Sequence, residues 1–106
     1  MSQLFHDGYL EARSYEQTKV FDAATFFARC EDILPAPESS HAIRAAMDEA
    51  LACKESGEEK TILFGLTGTG YFDMSAYMAY NNGSMTDYIP TDAELEKGFA
   101  TLPKAE

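Results

Sequence analysis

The 106-residue sequence predicts an α/β protein: a small, partial parallel-sheet layer with helices around it. Three stretches carry that expectation. Residues Ala42, Ile43, Ala46, Met47, Ala50 and Leu51 recur at helical spacing, with Arg44, Asp48, Glu49, Lys54 and Glu55 on the other side. Thr61 to Leu66 is a short, nearly continuous apolar run of the kind found in strands covered on both faces. Thr67-Gly68-Thr69-Gly70 follows at once, and open parallel sheets bind ligands in such turns beyond their strand ends.

Met1 to Gly8 has little periodicity, and His6-Asp7-Gly8 favours a turn, so this stretch reads as a boundary. Tyr9 to Ser14 alternates imperfectly and predicts a short strand. Ser14 with Gln17, or Glu16 in the first turn, offers a helix start. Val20, Phe21, Ala24, Phe27, Ala28 and Cys30 then spread an apolar surface wider than one stripe, to which Phe26 adds. That helix should end near Asp32 or Ile33, because Pro35 blocks its continuation.

Pro35 and Pro37 bias their predecessors toward extended backbone, so the next helix is not expected to enter before Glu38, with Ser39 or Ser40 as its cap. Gly57 is its expected terminator, and Glu58 to Lys60 a solvated turn before the strand. After Gly70, Asp73 can cap a third helix whose Met74, Tyr77, Met78 and Tyr80 form a packing surface. Asn81-Asn82-Gly83 ends it. Ser84 to Pro90 reads as a loop, and Thr91 to Glu94 as a capping box leading to Leu95, Phe99 and Leu102. Residues 104–106 are a polar tail. The whole chain reads as a single α/β domain or domain fragment, with 84–106 as a loop plus a short C-terminal helix.

Eight basic residues against eighteen acidic ones leave a formal charge of -10. No Lys/Arg cluster is available to displace phosphate counterions, so neither nucleic acid nor an anionic membrane is an expected partner. Cys30 and Cys53 stand alone, consistent with reduced thiols in a cytoplasmic protein. There is no signal-peptide start, no stretch of about 18 apolar residues, and no His/Cys spacing that suits a metal.

Two sites offer chemistry. Glu38 and His41 are three apart and can share a helix face, although Glu38 is equally well placed to complement a helix N-terminus. The TGTG turn can converge backbone N–H groups and two hydroxyls on a phosphate or another small anion. It matches neither GxxxxGK[ST] nor GxGxxG. A purely structural turn is the competing reading.

EDILPAPESSHAIRAAMDEAL, followed after a short interval by KTILFGLTGTG, resembles the C-terminal part of tryptophan synthase beta chains, nearest the TrpB-like branch. DGYLEARSYEQTKVFDAATFFAR resembles the segment leading into it, so the likeness runs from about Phe5 to Phe72. The resemblance implies a fold-type II lyase that holds pyridoxal phosphate and condenses indole with L-serine in tryptophan biosynthesis. It places Glu38 in the catalytic pocket. It also puts the Thr67 hydroxyl on the pyridine nitrogen, with Gly68 beside the cofactor. Thr69 and Gly65 depart from the family's usual residues.

The family's Schiff-base lysine and phosphate loop lie earlier than this stretch, and none of Lys19, Lys54, Lys60, Lys97 or Lys104 occupies that motif. The resemblance therefore implies a C-terminal fragment that contributes the cofactor-ring side of a site, inactive alone and without covalently bound cofactor. Its partners would be the missing N-terminal region or a complementary subunit, or a second copy in a homo-oligomer. The alternative is a noncatalytic protein-interaction or self-association domain, for which the aromatic and Met content of the helices is the cue.

Overall fold

The computed structural model describes residues 1–103; the polar tail expected at 104–106 lies outside them. Among the described residues five α-helices run in order: α1 Ser2–His6, α2 Gln17–Glu31, α3 Pro37–Ser56, α4 Met74–Asn81 and α5 Asp92–Phe99, with a 3-10 turn at Gly70–Asp73 before α4. Among the described residues there is no β-strand. The expected α/β class, with its partial parallel sheet, is therefore corrected to all-helical. A strand is stable only when a neighbour takes its backbone hydrogen bonds. Tyr9–Ser14 and Thr61–Leu66 fall in different compact units, and neither has a ladder partner.

The two units are Tyr15–Asp87 and, separately, Met1–Ser14 with the described residues from Tyr88 onward. In the larger unit α2 packs chiefly on α3 and secondarily on α4. Val20, Phe21, Ala23 and Ala24 of α2, Ile43 of α3 and Tyr77 of α4 are buried. The small alanines let the helices approach closely, and Phe21 fills the space between the α4 tyrosines. Its ring meets Tyr77 edge-on at 5.0 Å and stacks on Tyr80 at 6.1 Å. Burial raises the pKa of the Tyr77 hydroxyl. Burial, and then the bond to the Asp22 carboxylate, raise that of Tyr80, so both phenols remain donors at neutral pH.

The N-cap of helix α3 is Ala36 rather than Ser39 or Ser40, and the helix begins at Pro37, ahead of the expected entry. Proline is pre-organised for that position, since its fixed φ is helical and its missing N–H would be unpaired anyway. Ser39 and Ser40 lie inside the helix, and their hydroxyls donate back to the Ala36 carbonyl at 3.4 and 2.8 Å. Gly57 closes α3 in the left-handed region (φ 75°), as its lack of a Cβ allows.

Helix α2 takes its cap from the far end of the unit. Glu16 makes no side-chain capping bond. Instead Asp87 accepts from the Thr18 N–H at 2.9 Å and the Thr18 hydroxyl at 2.6 Å, and the Gln17 amide donates to the Thr86 carbonyl. These bonds hold Asp87 below the usual carboxylate pKa range, the Thr18 hydroxyl being the largest cause.

In the terminal unit, residues 2–6 form the short α1 where a boundary was expected. Helix α5 carries the capping box, with Thr91 Oγ1 accepting from the Glu94 N–H and the Glu94 carboxylate accepting from the Thr91 N–H. Neither helix buries a residue. This unit also holds an open, mostly apolar cavity of about 540 Å³ lined by Met1, Phe5, His6, Leu10 and Pro103 among others.

Candidate functional site

The Thr67–Gly70 turn, one of the two features singled out for chemistry, meets the Leu34–Ser39 corner that carries Glu38 at the N-terminus of α3. The Gly70 N–H donates to the Leu34 carbonyl at 2.9 Å, and the Ser39 hydroxyl donates to the Thr67 carbonyl at 2.6 Å. The Tyr77 hydroxyl reaches the Pro35 carbonyl at 2.6 Å. Three backbone groups of an irregular corner are thereby satisfied from three directions, which fixes how the chain enters α3.

The glycines of the turn are required by close approach. A Cβ on Gly70 would stand 2.6 Å from the Pro35 carbonyl oxygen and 2.7 Å from Leu34 Cγ. Gly68 has φ +70°, and its Cβ would meet that of Ala36 at 3.0 Å. Thr69 caps the following 3-10 turn, its hydroxyl accepting from the Tyr71 N–H. Asp73, expected as the α4 cap, makes no side-chain capping bond.

The structure thus brings the Glu38 turn beside Thr67 and Gly68. All three residues are exposed, as is His41. Sequence reasoning missed Ser39 as the bridge and Tyr77 as the clamp on Pro35. Neither leaves a local signal, because each partner lies about 28 or 42 residues away. Among the described residues no group of three or more His, Cys, Asp or Glu could hold a metal ion. No described helix is long and apolar enough to cross a membrane.

No family model matches the chain. Curated relatives do. Over 85 residues it is 62% identical to tryptophan synthase beta chain 2 of Aquifex aeolicus, an alignment covering 80% of this chain and 20% of that protein. The Methanosarcina acetivorans protein of the same name is also 62% identical over 85 residues, covering 80% of this chain and 19% of the relative. For that of Pyrococcus furiosus the identity is 46% over 103 residues, 97% of this chain and 23% of the relative. The chain is similar to one part of tryptophan synthase beta chains. It spans about a fifth of the length of the curated relatives it matches.

That likeness is one of sequence. The fold-type II architecture it implies is corrected by the structure, whose described residues contain no sheet to stand behind a pyridoxal ring. The expected contribution of the cofactor-ring side of a lyase site is corrected for the same reason. Glu38, Thr67 and Gly68 are exposed at this corner, and the Thr67 carbonyl is held by the Ser39 hydroxyl. No step of pyridoxal chemistry is assigned to them.

Proposed function

We propose that this chain is a noncatalytic protein-interaction module capable of self-association. The observation supporting it is the apolar surface that the larger unit leaves in water. Leu63 is 95% exposed and Phe72 89%, and Tyr71, Met78 and Phe26 are also more than half exposed. A monomer rarely leaves so many large apolar side chains in solvent without a partner for them. The partner is a polypeptide, either a second copy or the additional chain that the longer relatives possess. Any pyridoxal phosphate belongs, in this reading, to a complete and longer protein. Two free thiols, Cys30 and Cys53, suit a reducing cytoplasmic setting.

Sedimentation velocity over a wide concentration range, alone and after co-expression with the remaining part of the Pyrococcus furiosus relative, tests this reading. A mass that rises with concentration, or a stable complex, is the expected result. A strict monomer in both arms overturns it.

A further inference from the structure

Helix α1 ends in a Schellman turn. Gly8 takes the left-handed region (φ +82°), its N–H donates to the Phe5 carbonyl at 3.1 Å, and the Tyr9 N–H donates to the Leu4 carbonyl at 2.9 Å. The chain is thereby reversed, so that Leu10 and Glu11 line one cavity with Phe5 and His6, and Pro103 completes the wall. Its volume of about 540 Å³ falls within the range of about 300–1,000 Å³ that small-molecule sites occupy. Neither helix of this unit buries a residue, so these walls are not committed to a packed core.

The polar groups of the lining are chiefly acceptors. Asp7 Oδ1 lies 3.2 Å from His6 Nδ1. An ionised carboxylate can only accept, so Nδ1 carries the hydrogen, and Nε2 of the neutral ring keeps its lone pair. The Glu11 carboxylate makes no hydrogen bond or ion pair among the described residues. No lysine or arginine stands among the described lining residues. Phe5, Leu10 and Pro103 call for an apolar body, and an unpaired carboxylate beside them calls for a cation. An anion would be opposed by Glu11 and by the formal charge of -10.

We propose that this cavity is a binding site for a small lipophilic primary amine, its hydrocarbon body against Phe5, Leu10 and Pro103 and its ammonium group donating to the Glu11 carboxylate and His6 Nε2. A primary ammonium brings three N–H donors to these two acceptors, whereas a quaternary one brings none. Glu11 is exposed, so its pairing supplies selectivity, and the apolar contact supplies most of the affinity. The site goes beyond the interaction reading above, which rests on side chains of the larger unit, and does not depend on it.

The test titrates the whole chain with phenethylamine, phenethyl alcohol and phenylacetate, which share an aromatic body and differ in charge at its end, and follows the amide signals by NMR. The amine should bind about fivefold more tightly than the alcohol, and phenylacetate more weakly than both. Shifts should concentrate in residues 1–12. Glu11→Gln should bring the amine down to the affinity of the alcohol, and Phe5→Ser should weaken amine and alcohol alike by about tenfold. Both side chains are exposed, so neither change removes a packing contact of a core, and circular dichroism checks that each variant remains helical.

Equal affinity for the three compounds, an amine preference that survives Glu11→Gln, or binding indifferent to Phe5→Ser overturns the proposal. So do shifts centred on Tyr71, Phe72 and Met78, which would mark a general attraction to exposed apolar side chains. Absence of binding at millimolar phenethylamine overturns it too. Each of these outcomes leaves the self-association reading, which sedimentation measures, where it stands.

Discussion

The α2–α3–α4 unit and the terminal unit are written in the same sequence idiom, and only the first acquires an interior. Helix α5 has a complete capping box and apolar residues at Leu95 and Phe99, a better-marked helix by local signals than α4, whose Asp73 makes no capping bond. Yet α5 buries nothing, and α4 buries Tyr77. Capping and periodicity decide that a helix forms; an opposing apolar face decides whether it is buried. For α4 that face is Phe21 and its neighbours on α2. The contrast predicts that equivalent truncations in the two units will differ sharply.

Tyr77→Ala should be the most damaging change. It empties the space beside Phe21 and frees the Pro35 carbonyl, at a cost of about 3–4 kcal/mol by urea denaturation. Phe99→Ala, removing a ring that is already in solvent, should cost no more than about 0.5 kcal/mol. Equal losses would mean that the terminal unit has a core of its own.

Gly70→Ala comes next. The new methyl would be driven into the Pro35 backbone carbonyl, which cannot swing aside as a side chain can, and into the Leu34 side chain, so a loss of about 2 kcal/mol is expected. Gly68→Ala should cost about 1 kcal/mol for its left-handed backbone, since Ala36 Cβ is a marginal neighbour. If Gly68→Ala proved the costlier of the two, the corner would be governed by backbone conformation rather than by close packing.

Thr91→Ala measures the terminal unit by itself. Losing the capping box should cost α5 about 1 kcal/mol, read as faster amide exchange in residues 92–99. The denaturation midpoint of the larger unit should not move. A coupled shift would show that the two units unfold together.

What the sequence made legible follows the same division. Helices α2, α3 and α5 could be read because their causes are local: apolar spacing, a proline ahead, Gly57 behind, and a Thr-x-x-Glu box. The strands could not be called correctly. The apolar content of Thr61–Leu66 is a sound strand signal, but a strand is a relation between two segments, and the second is not in the described chain. The candidate site was half legible. That Leu34–Glu38 and Thr67–Gly70 belong together was anticipated only through the family resemblance, and the residues that join them, Ser39 and Tyr77, act across distances no window reads.

The smallest effect concerns the remote cap, and pH isolates it. Asp87 has a lowered pKa in the folded chain because the Thr18 hydroxyl and N–H bond its ionised form. A depressed carboxylate contributes stability that is fully present above its unfolded pKa of about 4 and lost as pH falls through the lower folded value. Asp87→Ala should therefore melt below the parent at neutral pH, with the gap closing only in acid beneath that folded pKa. The carboxyl is solvent-accessible, so added salt should shrink the neutral-pH gap. A gap constant from neutral pH into strong acid would show that Asp87 holds α2 through its shape rather than its charge. The cap would then be one more packing contact of the larger unit, and its sensitivity to acid would have to come from another carboxylate.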